Sequence, residues 1–155
     1  VADLDGSVTV EQHSGRTGRG LGRVLVTVYG ILAFAATGRS TFVLVTKFSE
    51  APVAYSLSTL AALVYILATV ALALGGRGSW RAVAWAAVSV EAVGVVTVGT
   101  LSLLDPAAFG ESTVWSRYGQ GYGFVPLVLP FVGLWWLWRT RPRSADAFPD
   151  AKEAV

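Results

Sequence analysis

Residues 51–76 read APVAYSLSTLAALVYILATVALALGG, twenty-six positions without a charge between Glu50 and Arg77. A soluble amphipathic helix carries charged or polar residues along one face, recurring every third or fourth position. The centre of this stretch, VYILATVALAL over 64–74, has no such stripe, which excludes a water-soluble four-helix bundle. A helix that crosses a bilayer needs roughly 17–25 mainly apolar residues, because backbone amides cannot be left unpaired in hydrocarbon. Three further blocks meet that length: 118–138 between Arg117 and Arg139, 24–46 with Arg39 inside it, and 82–104 with Glu91 inside it. The expected fold is all-α, a polytopic membrane protein with four transmembrane helices in an up-down-up-down bundle. Its spans cover about 24–46, 52–75, 81–104 and 118–138.

The whole composition points the same way. Of 155 residues, 54% are hydrophobic and 14% charged, where a soluble domain carries about 25% charged residues. Cys, Met and Asn are absent and the single histidine is His13. Disulfides, thiol redox chemistry, Cys/His metal sites, intramembrane haem ligation by His and N-glycosylation are thereby excluded. A net charge of +2 gives no argument for nucleic acid. No cofactor is expected.

The links between blocks are short: Phe48 to Ala51, Gly76 to Ser79 and Asp105 to Ser112. Short links make consecutive helices antiparallel neighbours. Pro52 suits a first helical turn, and Asp105-Pro106 stops the third helix. Residues 1–22 and 141–155 read as disordered tails. Arg16, Arg19, Arg23, Arg77, Arg81, Arg139, Arg141, Arg143 and Lys152 collect on one face, against Lys47 and Arg117 on the other. By the positive-inside rule both termini are expected in the cytoplasm of a bacterial cell, with the chain in its plasma membrane. Trp80, Trp85, Trp135, Trp136 and Trp138 fall near the inner interface, and Phe48, Tyr55, Trp115 and Tyr118 near the outer one. The Arg-rich residues 16–23 followed by Ala33-Phe34-Ala35 also have the layout of a secretory leader; the expectation is a retained span.

Glu91 is the most informative residue. It lies ten positions after Arg81, ~15 Å deep at the helical rise and so near the bilayer midplane. An ionisable group there costs a few kcal/mol unless it is paired, protonated or hydrated. Its face holds Ala84, Ala87, Val88, Gly94, Val95 and Val98, small residues that suit close approach by another helix. Arg39 lies sixteen positions after Arg23, about 9 Å from the level of Glu91 by the same rise. It either bends inward towards Glu91 or snorkels outward. Helix 2 offers Ser58, Ala61, Ala62, Tyr65 and Thr69 at helical spacing, with Tyr65 at mid-depth. Glu91, Arg39, Tyr65 and Ser58 form the expected intramembrane polar cluster, and a Tyr65 hydroxyl donating to Glu91 is its most specific pairing.

The fourth block is irregular. Tyr118, Gly119, Gln120, Gly121, Tyr122 and Gly123 precede Phe124-Val125-Pro126, with Pro130 four residues on. Alternating glycines followed by prolines make a straight helix from Trp115 unfavourable. One reading is a gate made from an interrupted helix. The favoured one is an interfacial loop before a helix that starts at proline. The string is no phosphate loop, since the preceding strand and the Lys-Ser/Thr pair are missing. No catalytic residues emerge: His13 lies in the tail, no HExxH motif is present, and no second intramembrane carboxylate stands with Glu91. The expectation is a protein that is not an enzyme and binds no metal.

The strings Ala36-Thr37-Gly38-Arg39-Ser40, Lys47-Phe48-Ser49-Glu50-Ala51-Pro52 and Val114-Trp115-Ser116 to Pro130 resemble those of small four-span integral membrane proteins of high-GC Gram-positive bacteria. The Ala/Val/Gly/Arg bias agrees, and the resemblance covers most of 23–138. It implies a fold and no activity. Thiol oxidoreductase bundles need Cys, haem anchors need His, and small multidrug exporters place their essential Glu in the first helix. The function expected is an accessory or assembly subunit, a homo-oligomer or part of a larger membrane-protein complex in the lipid bilayer, with no nucleic-acid partner. The alternative is a small proton-coupled transporter or permeation unit using the Glu/Arg/Tyr cluster.

Overall fold

The computed structural model describes residues 14–74, 78–109 and 111–141, and every regular element among them is helical. The chain runs α1 (Ser14–Thr46), α2 (Pro52–Ala73), α3 (Trp80–Leu104), a four-residue α4 (Pro106–Phe109), a 3-10 segment (Ser116–Tyr122) and α5 (Val125–Arg139). Three stretches are long and apolar enough to cross a membrane: Gly20–Thr46, Pro52–Ala73 and Trp80–Leu104. Their outer surfaces agree, since Phe34, Val45, Leu63 and Val93 are exposed where a protein in water would present charge.

Each boundary has a local cause. Pro52 enters α2 at its first turn, where its missing N–H leaves no hydrogen bond unmade. The next proline, Pro106, follows the cap of α3 at Asp105 and cannot extend that helix. At the other end of the chain, helix begins at Ser14, where the sequence leads one to expect a disordered tail up to Gly22. Residues 14–22 contain no proline to stop backward propagation from the apolar segment, which favours continuation over a new nucleation. The tail expectations for residues 1–13 and 142–155, and the link at 75–77, lie outside the described residues.

The fourth span differs from the sequence expectation. A helix over 118–138 is replaced by the 3-10 segment and α5, bent by 101° with respect to each other. Helix α5 alone has 15 residues, ~22 Å at the helical rise, short of a ~30 Å hydrocarbon core. The break lies at Arg117, Tyr118 and Gly119, all left-handed, and again at Gly123 and Phe124.

The core is a ring of packed helices in which α1 meets α2, α2 meets α3, and α3 meets α5, which touches α1. The face of α3 read from the sequence is the buried one: Ala84, Ala87, Val88, Glu91, Val95 and Val98 all point inward. Two of its glycines are packed by the segment before α5. A Cβ on Gly94 would lie 2.7 Å from the Trp115 ring, and one on Gly99 would lie 2.5 Å from the Tyr118 ring. The glycines are sockets for two aromatic side chains.

Candidate functional site

Two polar centres stand at different depths of the bundle. The inner one is built on Glu91, at the twelfth position of the 25-residue α3 and fully buried. Its Oε2 accepts a hydrogen bond from the Tyr29 hydroxyl of α1 at 2.6 Å. Its Oε1 has no hydrogen-bond partner among the described residues. The Tyr29 and Tyr65 rings lie 6.3 Å apart at 53°. The Tyr65 hydroxyl in turn accepts from Trp115 Nε1 at 3.0 Å. The centre thus joins α1, α2, α3 and the segment before α5 through two buried hydrogen bonds. Each leaves a polar group less costly to bury than it would be alone.

Tyr65 therefore reaches mid-depth beside Glu91, as its spacing implies, but its hydroxyl is occupied by Trp115. The hydroxyl on Glu91 belongs to Tyr29. Counting from Gly20, where the apolar stretch of α1 begins, Tyr29 lies nine residues in, or ~14 Å. Glu91 lies eleven residues past Trp80, or ~16 Å by the same rise. The signal was available in the sequence as the inward row Leu25, Tyr29, Leu32 and Ala36. Ser58 is buried but donates to Ala54 O at 2.9 Å within its own helix and takes no part in the centre.

Trp115 and Tyr55, expected near the outer interface, turn into the bundle. Both are almost fully buried, Trp115 because Gly94 opens a slot for its ring and Tyr65 accepts its N–H. At the opposite end Arg139 stacks over Trp135 and Arg141 over Trp85, while Arg81 donates to the Leu137 carbonyl.

The outer centre is a pocket of about 690 Å³ at the end of the bundle where α1 and α3 terminate. Arg39 belongs here and not with Glu91. Its Nη2 donates to Ser112 O at 2.5 Å and lies 3.8 Å from Glu111 Oε2. Its Nε is buried without a hydrogen-bond partner among the described residues. It turns away from Glu91 because Ser112 and Glu111 bring it carbonyl and carboxylate acceptors.

The irregular loop forms the facing wall. Arg117, Gln120, Gly121 and Tyr122 line the pocket, and Ser102 joins them from α3. Successive residues Arg117, Tyr118 and Gly119 have φ of 49°, 60° and 76°. For the two non-glycine residues this costs about 1–2 kcal/mol each. Specific bonds hold the turn: Arg117 N donates to Ser102 Oγ at 2.8 Å, and the Tyr118 hydroxyl lies 3.0 Å from Thr100 Oγ1. Gly119 packs its Cα against Pro126, where a Cβ would come within 2.7 Å of the proline ring. Gly123 closes the segment with its N–H on Gln120 O. Upstream, Thr113 and Ser116 bond each other's side chains and backbone. The segment is thus a built, partly buried wall, and the helix after it starts at the proline as expected, α5 beginning at Val125 with Pro126 in its first turn.

Among the described residues no group of three His, Cys, Asp or Glu side chains is placed to hold a metal ion. Comparison with protein-family models, curated proteins and solved structures found no match for this chain.

Proposed function

We propose that the chain is a small integral membrane protein of four spans in an up-down-up-down bundle, the fourth formed by the bent pair, with both termini cytoplasmic. In this reading it acts without catalysis, as an accessory or assembly subunit of a membrane complex or homo-oligomer. The observation that carries it is the closure of the inner centre. Glu91 has 0% exposure, and the pocket at the bundle end is lined without it. A carboxyl enclosed in this way, fastened to Tyr29, serves as cross-helix glue. The small residues and paired aromatics around it support a rigid unit suited to docking.

A proton-coupled transporter is the second reading, favoured by one atom: Glu91 Oε1, buried and without a hydrogen-bond partner among the described residues. Purification of tagged protein from its native membrane in mild detergent tests the first reading, with mass and subunit composition as the readout. Stoichiometric larger subunits, or a discrete homo-oligomer silent in proton-flux assays, support it. A homo-oligomer whose flux in liposomes disappears in Glu91→Gln overturns it in favour of transport.

A further inference from the structure

The pocket at the bundle end takes no part in the closure of the Glu91 centre, and its chemistry is specific. Two arginines line it, Arg39 of α1 and Arg117 of the left-handed turn, with Glu111 the one acidic residue in the lining. Arg39 has Ser112 O and Glu111 as its partners. A guanidinium carries five N–H donors in a planar fork, so these contacts leave donors unused, the buried Nε among them. The Arg39–Glu111 pair is 3.8 Å long with side chains 33% and 47% exposed, a weak and screened contact. Arg117 has no ion pair among the described residues. Its position is held by a strained backbone conformation pinned to Ser102. Local strain of this kind concentrates where a side chain must be presented to a ligand.

We propose that this pocket binds a phosphate ester, its phosphate oxygens held between Arg39 and Arg117. Planar guanidinium forks match phosphate oxygens two at a time, and two arginines in one pocket lining suit a group with three or four oxygens. The volume, about 690 Å³, falls in the range that accepts a small organic molecule and far exceeds a bare anion. Phe109, Tyr122 and Pro106 supply apolar wall for the organic part. The ester has two sources with the same chemistry, an anionic phospholipid headgroup and a water-soluble phosphate ester. Leu103 and Leu104 at the end of α3, exposed by 53% and 77%, are placed to meet acyl chains. Glu111 competes with the phosphate for Arg39, which fixes the sign of a third substitution.

The experiment is equilibrium binding to the full chain, purified in an uncharged detergent. The probes are dioctanoyl phosphatidylglycerol and glycerol 3-phosphate, with a short-chain carboxylate of similar size as control. Arg39→Gln and Arg117→Gln should each weaken phosphate binding about tenfold, the loss of one strong contact. Glu111→Gln should tighten it several-fold. Arg117 and Glu111 are exposed, so their variants keep the fold, which circular dichroism checks. Binding of the phosphatidylglycerol alone identifies a lipid headgroup, and binding of both identifies a soluble ester; either supports the site. Phosphate probes binding no better than the carboxylate overturn it. So does Glu111→Gln weakening the binding, or both arginine variants binding like the parent.

Discussion

Gly94→Ala tests whether the small-residue face of α3 exists to seat Trp115. The new Cβ would stand 2.7, 2.8 and 3.0 Å from three atoms of the six-membered part of the indole. Ordinary carbon contacts are about 3.5–4.0 Å, so ring or helix must retreat by ~1 Å. Trp115 is 1% exposed and has nowhere to go without straining its neighbours. Overpacking of this kind costs about 1–3 kcal/mol. Disturbing the bond from Trp115 Nε1 to Tyr65 adds about 0.6–1.7 kcal/mol, the range for polar contacts between membrane helices. Alanine returns about 1 kcal/mol through its higher helix propensity. The net expectation is a loss of about 2 kcal/mol, read by mixed-micelle denaturation followed by circular dichroism. Phenylalanine at 115 lacks the outer ring atoms and the N–H. In a Trp115→Phe background the same Gly94→Ala change should reverse sign and stabilise by up to about 1 kcal/mol. An equal cost in both backgrounds would refute the socket.

Three further outcomes follow from the two centres. Tyr29→Phe removes the one hydrogen-bond donor that Glu91 has among the described residues and should cost about 1–2 kcal/mol in the same denaturation assay, more than Tyr65→Phe. A Tyr65→Phe, Glu91→Gln double-mutant cycle should show coupling below about 0.5 kcal/mol, while Tyr29→Phe with Glu91→Gln should exceed it. Arg117→Gly relieves a left-handed residue at about 1–2 kcal/mol and adds about 0.5–1 kcal/mol of glycine entropy. It should therefore raise stability slightly in thermal melts while weakening phosphate-ester binding, a combination Arg117→Gln should not reproduce.

Hydropathy along the chain determined a good deal. Apolar runs such as 51–76 set the rough place of the three long apolar helices, since backbone groups in hydrocarbon leave few alternatives to a helix. Prolines 52, 106 and 126 marked where helices start and stop, because each removes an N–H at a position a first turn can spare. The inward face of α3 and the central place of Glu91 were legible from small residues at helical spacing.

Partnership was decided by tertiary structure. Depth arithmetic put Tyr65, Arg39 and Glu91 within reach of one another, but a side chain bonds whichever group the packing aims at it. Tyr29 was aimed at Glu91, Trp115 at Tyr65, and Ser112 and Glu111 at Arg39. The segment 111–124 made the difference. Its glycines, with Pro126 and Pro130 just after it, announced a break in the sequence, yet the direction of the fold-back came from left-handed residues 117–119 and from the sockets at Gly94 and Gly99. Local sequence fixes which conformations a chain can adopt cheaply. Which of them is kept, and hence which polar groups meet, depends on close contacts between residues 19 to 73 positions apart.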